Sequence, residues 1–175
     1  MSAPGFRQFD TLAVVGLGLI GGSFARDVRR LGLAHQLIGY DNNTAYREEI
    51  SSLNLVDYLA AAPDEKLAEA ELVLLAVPVK AFAEVLAQIR PHLSASAIVT
   101  DAGSVKSPLL KIMSTPEYAE ILFVGGHPIA GSEHFGPRAA QDNLFSGKRY
   151  ILTPNEKTDQ NVVERVSGLW DSLGA

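Results

Sequence analysis

The chain has 175 residues, of which 47% are hydrophobic and 20% charged, and its formal net charge is −5. That balance supports a packed core in one domain, or one domain plus the root of a second, and argues against disorder. Nucleic acid is a poor partner, and none is expected, because no Lys/Arg block is present to meet phosphates; a chain without cysteine has no disulfide, thiolate nucleophile or cysteine-ligated zinc.

Met1 to Asp10 carries Arg7 and Asp10 but no apolar stretch, so it does not read as a secretory leader. Leu12 to Gly16 is a compact apolar run ending in glycine, as a buried parallel strand does. Ile20, Phe24, Val28 and Leu31 then recur at helical spacing. Gln36 to Tyr40 reads as a second strand and Asn42 to Leu53 as a second helix. Leu72 to Val77 is the most apolar strand candidate and is expected at the sheet centre, ended by Pro78. Phe82, Val85, Leu86 and Ile89 mark one helix face, and Ala97 to Thr100 is a further strand. Ser107-Pro108 reads as a cap and a helix-opening proline for a helix through Met113. Leu122 to Gly125 and Tyr150 to Leu152 are the last strands. Val162, Val166, Leu169 and Leu173 line a final helix that Gly174 stops.

Strands alternating with helices, without a repeat or an obvious linker, predict an α/β fold: a doubly wound, mostly parallel Rossmann-type sheet with helices on both faces. All of 1–175 is expected to form this one domain. The longest apolar run, Leu72 to Val79, is far short of the about 20 residues a membrane helix needs, so no membrane partner and a cytoplasmic location are expected.

Gly16, Gly18 and Gly21 form G-x-G-x-x-G directly after a strand and into a helix. The first glycine suits a tight turn, the second a close backbone approach to a pyrophosphate, and the third close packing of helix on strand. The start of that helix offers unpaired N–H groups to phosphate, which makes Leu17, Leu19 and Ile20 cofactor-binding candidates beside the glycines. Asp41 ends the second strand, twenty residues beyond Gly21. There a carboxylate accepts hydrogen bonds from ribose hydroxyls and repels a 2′-phosphate, which favours NAD over NADP; helix capping is its other reading.

Ligands of such sheets bind beyond the carboxyl ends of the strands. Three segments meet that description: Ala76-Val77-Pro78, Asp101 to Lys106, and Gly125 to Glu133. They would bring a hydroxyl (Ser104), an imidazole (His127) and a carboxylate (Glu133) to the nicotinamide end, with Val77 and Pro78 against the cofactor. Ser104 could instead cap a turn, Glu133 could be an exposed loop acid, and Lys106 a solvated charge. His35, His92 and His134 read as surface residues. His127, Glu133 and His134 lack metal-ligand spacing, so no metal is expected.

Taken together, GLGLIGGS at Gly16 to Ser23, Asp41, LAVPV at Leu75 to Val79 and DAGSVK at Asp101 to Lys106 resemble the prephenate dehydrogenase family, which includes arogenate and cyclohexadienyl dehydrogenases. GHPIAGSE at Gly126 to Glu133, Leu144-Phe145 and ILTP at Ile151 to Pro154 extend the resemblance over nearly the whole chain. It implies NAD(P)-dependent oxidative decarboxylation of prephenate to 4-hydroxyphenylpyruvate, on the way to tyrosine. It also implies that His127 removes the proton of the substrate's ring hydroxyl, that Ser104 orients His127 and the nicotinamide, and that Glu133 tunes the substrate site. Members of the family continue into a helical domain that forms a homodimer and grips the substrate carboxylates, so residues 1–175 are expected to bind NAD but turn over substrate poorly alone. Three alternatives stay open: arogenate as substrate, a β-hydroxyacid-type dehydrogenase, and a non-catalytic NAD sensor.

Overall fold

A computed structural model describes residues 7–175, so the part of the leader reading that falls on residues 1–6 lies outside the described residues. The chain runs β1 (Phe9–Val15), α1 (Leu19–Leu31), β2 (Ala34–Tyr40), α2 (Thr44–Ser52), β3 (Tyr58–Ala60), β4 (Leu72–Leu75) and α3 (Phe82–Ile89). It continues through β5 (Ile98–Asp101), α4 (Ser107–Met113), β6 (Leu122–Pro128), β7 (Tyr150–Thr153) and α5 (Gln160–Ser172). The strands form one seven-stranded sheet in the order β3-β2-β1-β4-β5-β6-β7, with β4 at its centre. Every pairing is parallel except that of β7 on β6.

Alternation along the inner strands explains the two layers of helix. Leu12 and Val14 of β1 and Leu72 and Leu74 of β4 face α1, α2 and α5. Ala13, Val15, Val73 and Leu75 face α3 and α4 on the other side. A strand buried on both faces has no polar positions to spare, which is why these segments read as unbroken apolar runs. Under α5, Trp170 stacks on Tyr150 at 3.9 Å, meets Phe145 edge-on at 5.0 Å and lies tilted against Phe24 at 5.5 Å. Such aromatic pairs add about 0.5–1.5 kcal/mol each beyond area burial.

Three departures from the sequence reading matter. First, β6 does not end at Gly125 but runs on to Pro128, so His127 lies within the strand, opposite Ile151. The antiparallel β7 supplies ladder bonds after the parallel neighbour β5 has stopped at Thr100↔Val124. Second, Ser107 is the first helical residue of α4 rather than its cap; Lys106 holds the cap position, and its side chain makes no capping bond to the helix. Third, β3 is an edge strand that the pattern did not announce.

The connection from β6 to β7 travels back across the first helix. Ser23 Oγ of α1 accepts the N–H of Gln141 at 3.0 Å, and both carboxylate oxygens of fully buried Asp27 accept the N–H of Asn143. Arg30 donates to the same carboxylate.

Candidate active site

The turn after β1 is built as its three glycines demand. Gly16 has φ of +87°, the left-handed region that glycine enters without strain, and a Cβ there would meet the Ala76 carbonyl at 2.7 Å. A Cβ on Gly21 would sit 1.9 Å from the carbonyl oxygen of Gly16, so this glycine lets α1 close onto the strand. Gly18 is different: nothing lies within 4 Å of its Cβ position. That open space lies over the N-terminus of α1. The first bond of α1 runs from the Gly22 N–H to the Gly18 carbonyl, which leaves the preceding N–H groups without an acceptor in the helix. An open cradle lined by donors at a helix N-terminus fits a pyrophosphate.

Asp41 is tied into the same turn. Its Oδ2 accepts the Leu17 N–H at 3.0 Å, and Oδ1 accepts the Asn43 N–H at 3.0 Å. Capping of α2 falls to Asn43, whose side chain accepts the Tyr46 N–H. Arg47 donates to the Asp41 carbonyl at 2.9 Å. Nearby, Tyr40 and Tyr58 both donate to Asp64. Burial, reinforced by this bond to a carboxylate, pushes the Tyr40 hydroxyl well above the ordinary phenol range. Burial works the other way on Asp64, but the two tyrosine bonds prevail and hold it below the usual carboxylate range.

A cleft of about 730 Å³ opens along the carboxyl ends of the strands. Gly16, Gly18, Leu19, Ile20, Asp41, Val77, Pro78, Ser104 and His127 all line it. Three candidates do not. Leu17 is fully buried and reaches the site only through its backbone N–H. Gly21 serves packing. The Glu133 side chain, 85% exposed, projects into solvent beside His134. His127 is half-buried and Ser104 exposed. Among the described residues no hydrogen bond joins those two side chains. His92, read as a surface residue, is half-buried.

Sequence reasoning missed what supports this cleft. Lys106 is neither a free surface charge nor a cleft residue: it pairs with buried Asp101 and donates to the Gly126 carbonyl. Burial pushes its ammonium below the ordinary lysine value, while the Asp101 bond pulls it back up. Tyr150 donates to the Asp101 carbonyl at 3.2 Å and lies at the same distance from Thr100 Oγ1, with its hydroxyl under Gly126. Phe135, 85% exposed, stands at the cleft rim on the connection after β6. No cluster of three or more metal-ligating side chains occurs among the described residues, and no helix among them is long and apolar enough to cross a membrane.

A doubly wound sheet with a glycine turn at the switch of strand order, and a cleft along the strand ends, defines a dinucleotide-binding domain. Residues 24–175 match the family described as prephenate dehydrogenase, nucleotide-binding domain, and the chain belongs to that family. It is 34% identical to a cyclohexadienyl dehydrogenase of Zymomonas mobilis over 95% of this chain and 56% of that protein. A prephenate dehydrogenase of Bacillus subtilis is 34% identical over 95% of this chain and 45% of its own length. Among solved structures, prephenate dehydrogenase from A. aeolicus in complex with hydroxyphenyl propionate and NAD+ superposes with a TM-score of 0.86, at 36% identity, over 96% of this chain and 58% of that one. Synechocystis arogenate dehydrogenase gives 0.83 at 36% identity, over 94% and 57%. The chain thus spans about half the length of the relatives it matches.

Proposed function

We propose that this domain holds NAD for the oxidative decarboxylation of prephenate to 4-hydroxyphenylpyruvate. The observation that carries the reading is that the glycine turn, Asp41, Ser104 and His127 all border one cleft. A relative of known structure, 36% identical, holds NAD+ together with hydroxyphenyl propionate, a ring acid of the expected kind.

In this reading the N–H groups of Gly18, Leu19 and Ile20 bind the pyrophosphate and Asp41 the adenosine ribose. Val77, Pro78 and Ser104 border the nicotinamide half. NAD supplies the hydride acceptor. His127 takes the proton of the substrate's ring hydroxyl as general base. Ser104 holds the imidazole's orientation once substrate is bound. Formation of an aromatic ring on loss of carbon dioxide drives the reaction, so alignment is the protein's main contribution. Residues gripping the substrate carboxylates, and a homodimer interface, belong to a helical domain outside residues 1–175. Glu133 acts at the substrate side only if its loop folds inward.

The test is NADH formation by the full-length protein with prephenate and, separately, arogenate. Turnover of either acid that residues 1–175 alone do not reproduce is the expected result; the preferred acid names the substrate. Failure of the full-length protein to oxidise both acids would overturn the proposal, and robust turnover by 1–175 alone would overturn the division of labour.

A further inference from the structure

One carboxylate holds the residues immediately before both Ser104 and His127. Asp101 is fully buried at the end of β5. Its Oδ2 accepts the N–H of Gly103 at 2.8 Å, and its Oδ1 accepts the N–H of Gly126, on the next strand, at 3.0 Å. Lys106 closes the figure. Its Nζ donates to Asp101 Oδ2 and to the carbonyl of Gly126. The peptide planes on both sides of the Gly126 Cα are therefore fixed by a single ion pair, one residue before His127.

Both anchor points have to be glycine for this to assemble. A Cβ on Gly126 would fall 1.6 Å from the Tyr150 hydroxyl, and one on Gly103 would meet the Phe82 ring at 2.8 Å and Asp101 Oδ2 at 3.0 Å. Exposed ion pairs contribute little to stability, and buried ones repay their desolvation only when fully hydrogen-bonded. Here the Lys106 side chain is 15% exposed and Asp101 fully buried, and four hydrogen bonds satisfy the pair. Neither side chain lines the cleft.

We propose that the Asp101–Lys106 pair is a positioning clamp: it sets the separation and orientation of Ser104 and His127 without touching substrate or cofactor. Its effect on rate rests on the reading of His127 as proton acceptor; its effect on the His127 backbone does not. A displacement of about 1 Å at a reacting group costs on the order of a hundredfold in rate, so a loosened clamp lowers kcat while leaving the distant pyrophosphate seat intact.

The experiment uses the full-length protein with isotope-labelled histidine rings, comparing Lys106→Met, Lys106→Arg and Asp101→Asn with wild type. In Lys106→Met and Asp101→Asn the His127 ring resonance should shift or broaden while that of exposed His35 stays in place. With the substrate acid, kcat should fall by a factor of about 10–100 with KM for NAD within about twofold, and Lys106→Arg should recover part of the loss. An unmoved His127 resonance in folded Lys106→Met and Asp101→Asn overturns the clamp, as does a rise in KM for NAD at constant kcat. If neither variant folds, the pair is a stability element and the proposal falls. If wild-type protein oxidises neither acid, the functional reading fails, while the resonance still decides the clamp.

Discussion

The Leu17 backbone N–H donates to Asp41 Oδ2 at 3.0 Å, so the end of the second strand is bonded directly to the turn after the first. In the proposed reading the same carboxylate both meets a ribose and shapes the phosphate seat. Asp41→Ala should therefore weaken NAD binding, and it should also remove the charge that repels a 2′-phosphate. Arg47, whose guanidinium is bonded to the Asp41 carbonyl, does not line the cleft. The NAD-to-NADP affinity ratio should drop by about tenfold or more, equivalent to about 1.4 kcal/mol. Equilibrium titration with both dinucleotides measures it; an unchanged ratio discards the ribose assignment.

Two glycines three residues apart should respond in opposite ways to the same added methyl. Gly21→Ala drives a Cβ into the Gly16 carbonyl and should cost about 1–3 kcal/mol or more of stability by overpacking. Gly18→Ala has open space and an ordinary φ of −70°, so its stability should change by less than about 1 kcal/mol. Its dinucleotide affinity, however, should fall by about tenfold or more, because the methyl stands where backbone must approach the pyrophosphate. Chemical denaturation and dinucleotide titration on both variants separate the two effects. Retained affinity in Gly18→Ala would place the phosphate elsewhere.

His127→Asn keeps a polar side chain of similar reach but cannot take up the proton. In the full-length protein kcat should fall by a factor on the order of a hundred or more, with NAD affinity nearly intact. Collapse of NAD affinity with rate per bound cofactor preserved would make the imidazole structural.

Tyr150 gives an alkaline signature. Burial raises its hydroxyl above the ordinary phenol value. A group whose pKa is raised by folding contributes its full stability below its unfolded pKa, about 10, and loses it as pH climbs beyond that. Wild-type stability should thus fall as pH rises above about 10. Tyr150→Phe, which keeps the Trp170 stack but removes the hydroxyl's bonds, should cost about 1 kcal/mol at neutral pH and then decline less steeply. Urea midpoints against pH supply the comparison; parallel curves would exonerate this hydroxyl.

The glycine turn and the place of Asp41 were legible because each residue there answers a local demand. Gly16 meets a positive φ, Gly21 a close carbonyl, and Asp41 a strand end at fixed distance from the turn. Helix faces such as Phe82, Leu86 and Ile89 followed from period alone. What was illegible depends on partners far along the chain. The extension of β6 through His127 comes from Ile151, and three half-buried residues of β3 are too short a run to show a period. Lys106 reads as a surface charge because nothing in a five-residue spacing announces a buried carboxylate. Glu133 lies six residues after His127 in one motif, yet the chain leaves β6 after Pro128, and residues of the following loop need not share a surface with the strand.

The bonds from Ser23 and Asp27 to Gln141 and Asn143 bear on how such domains can be recombined. A chimera that joined two relatives anywhere between residues 30 and 140 would inherit the helix from one parent and its backbone partners from the other. If the parent supplying the helix lacked a carboxylate at 27, the Asn143 amide of the other parent would lose its acceptor. The first helix and the return segment therefore form a single heritable block, although more than a hundred residues separate them in the sequence.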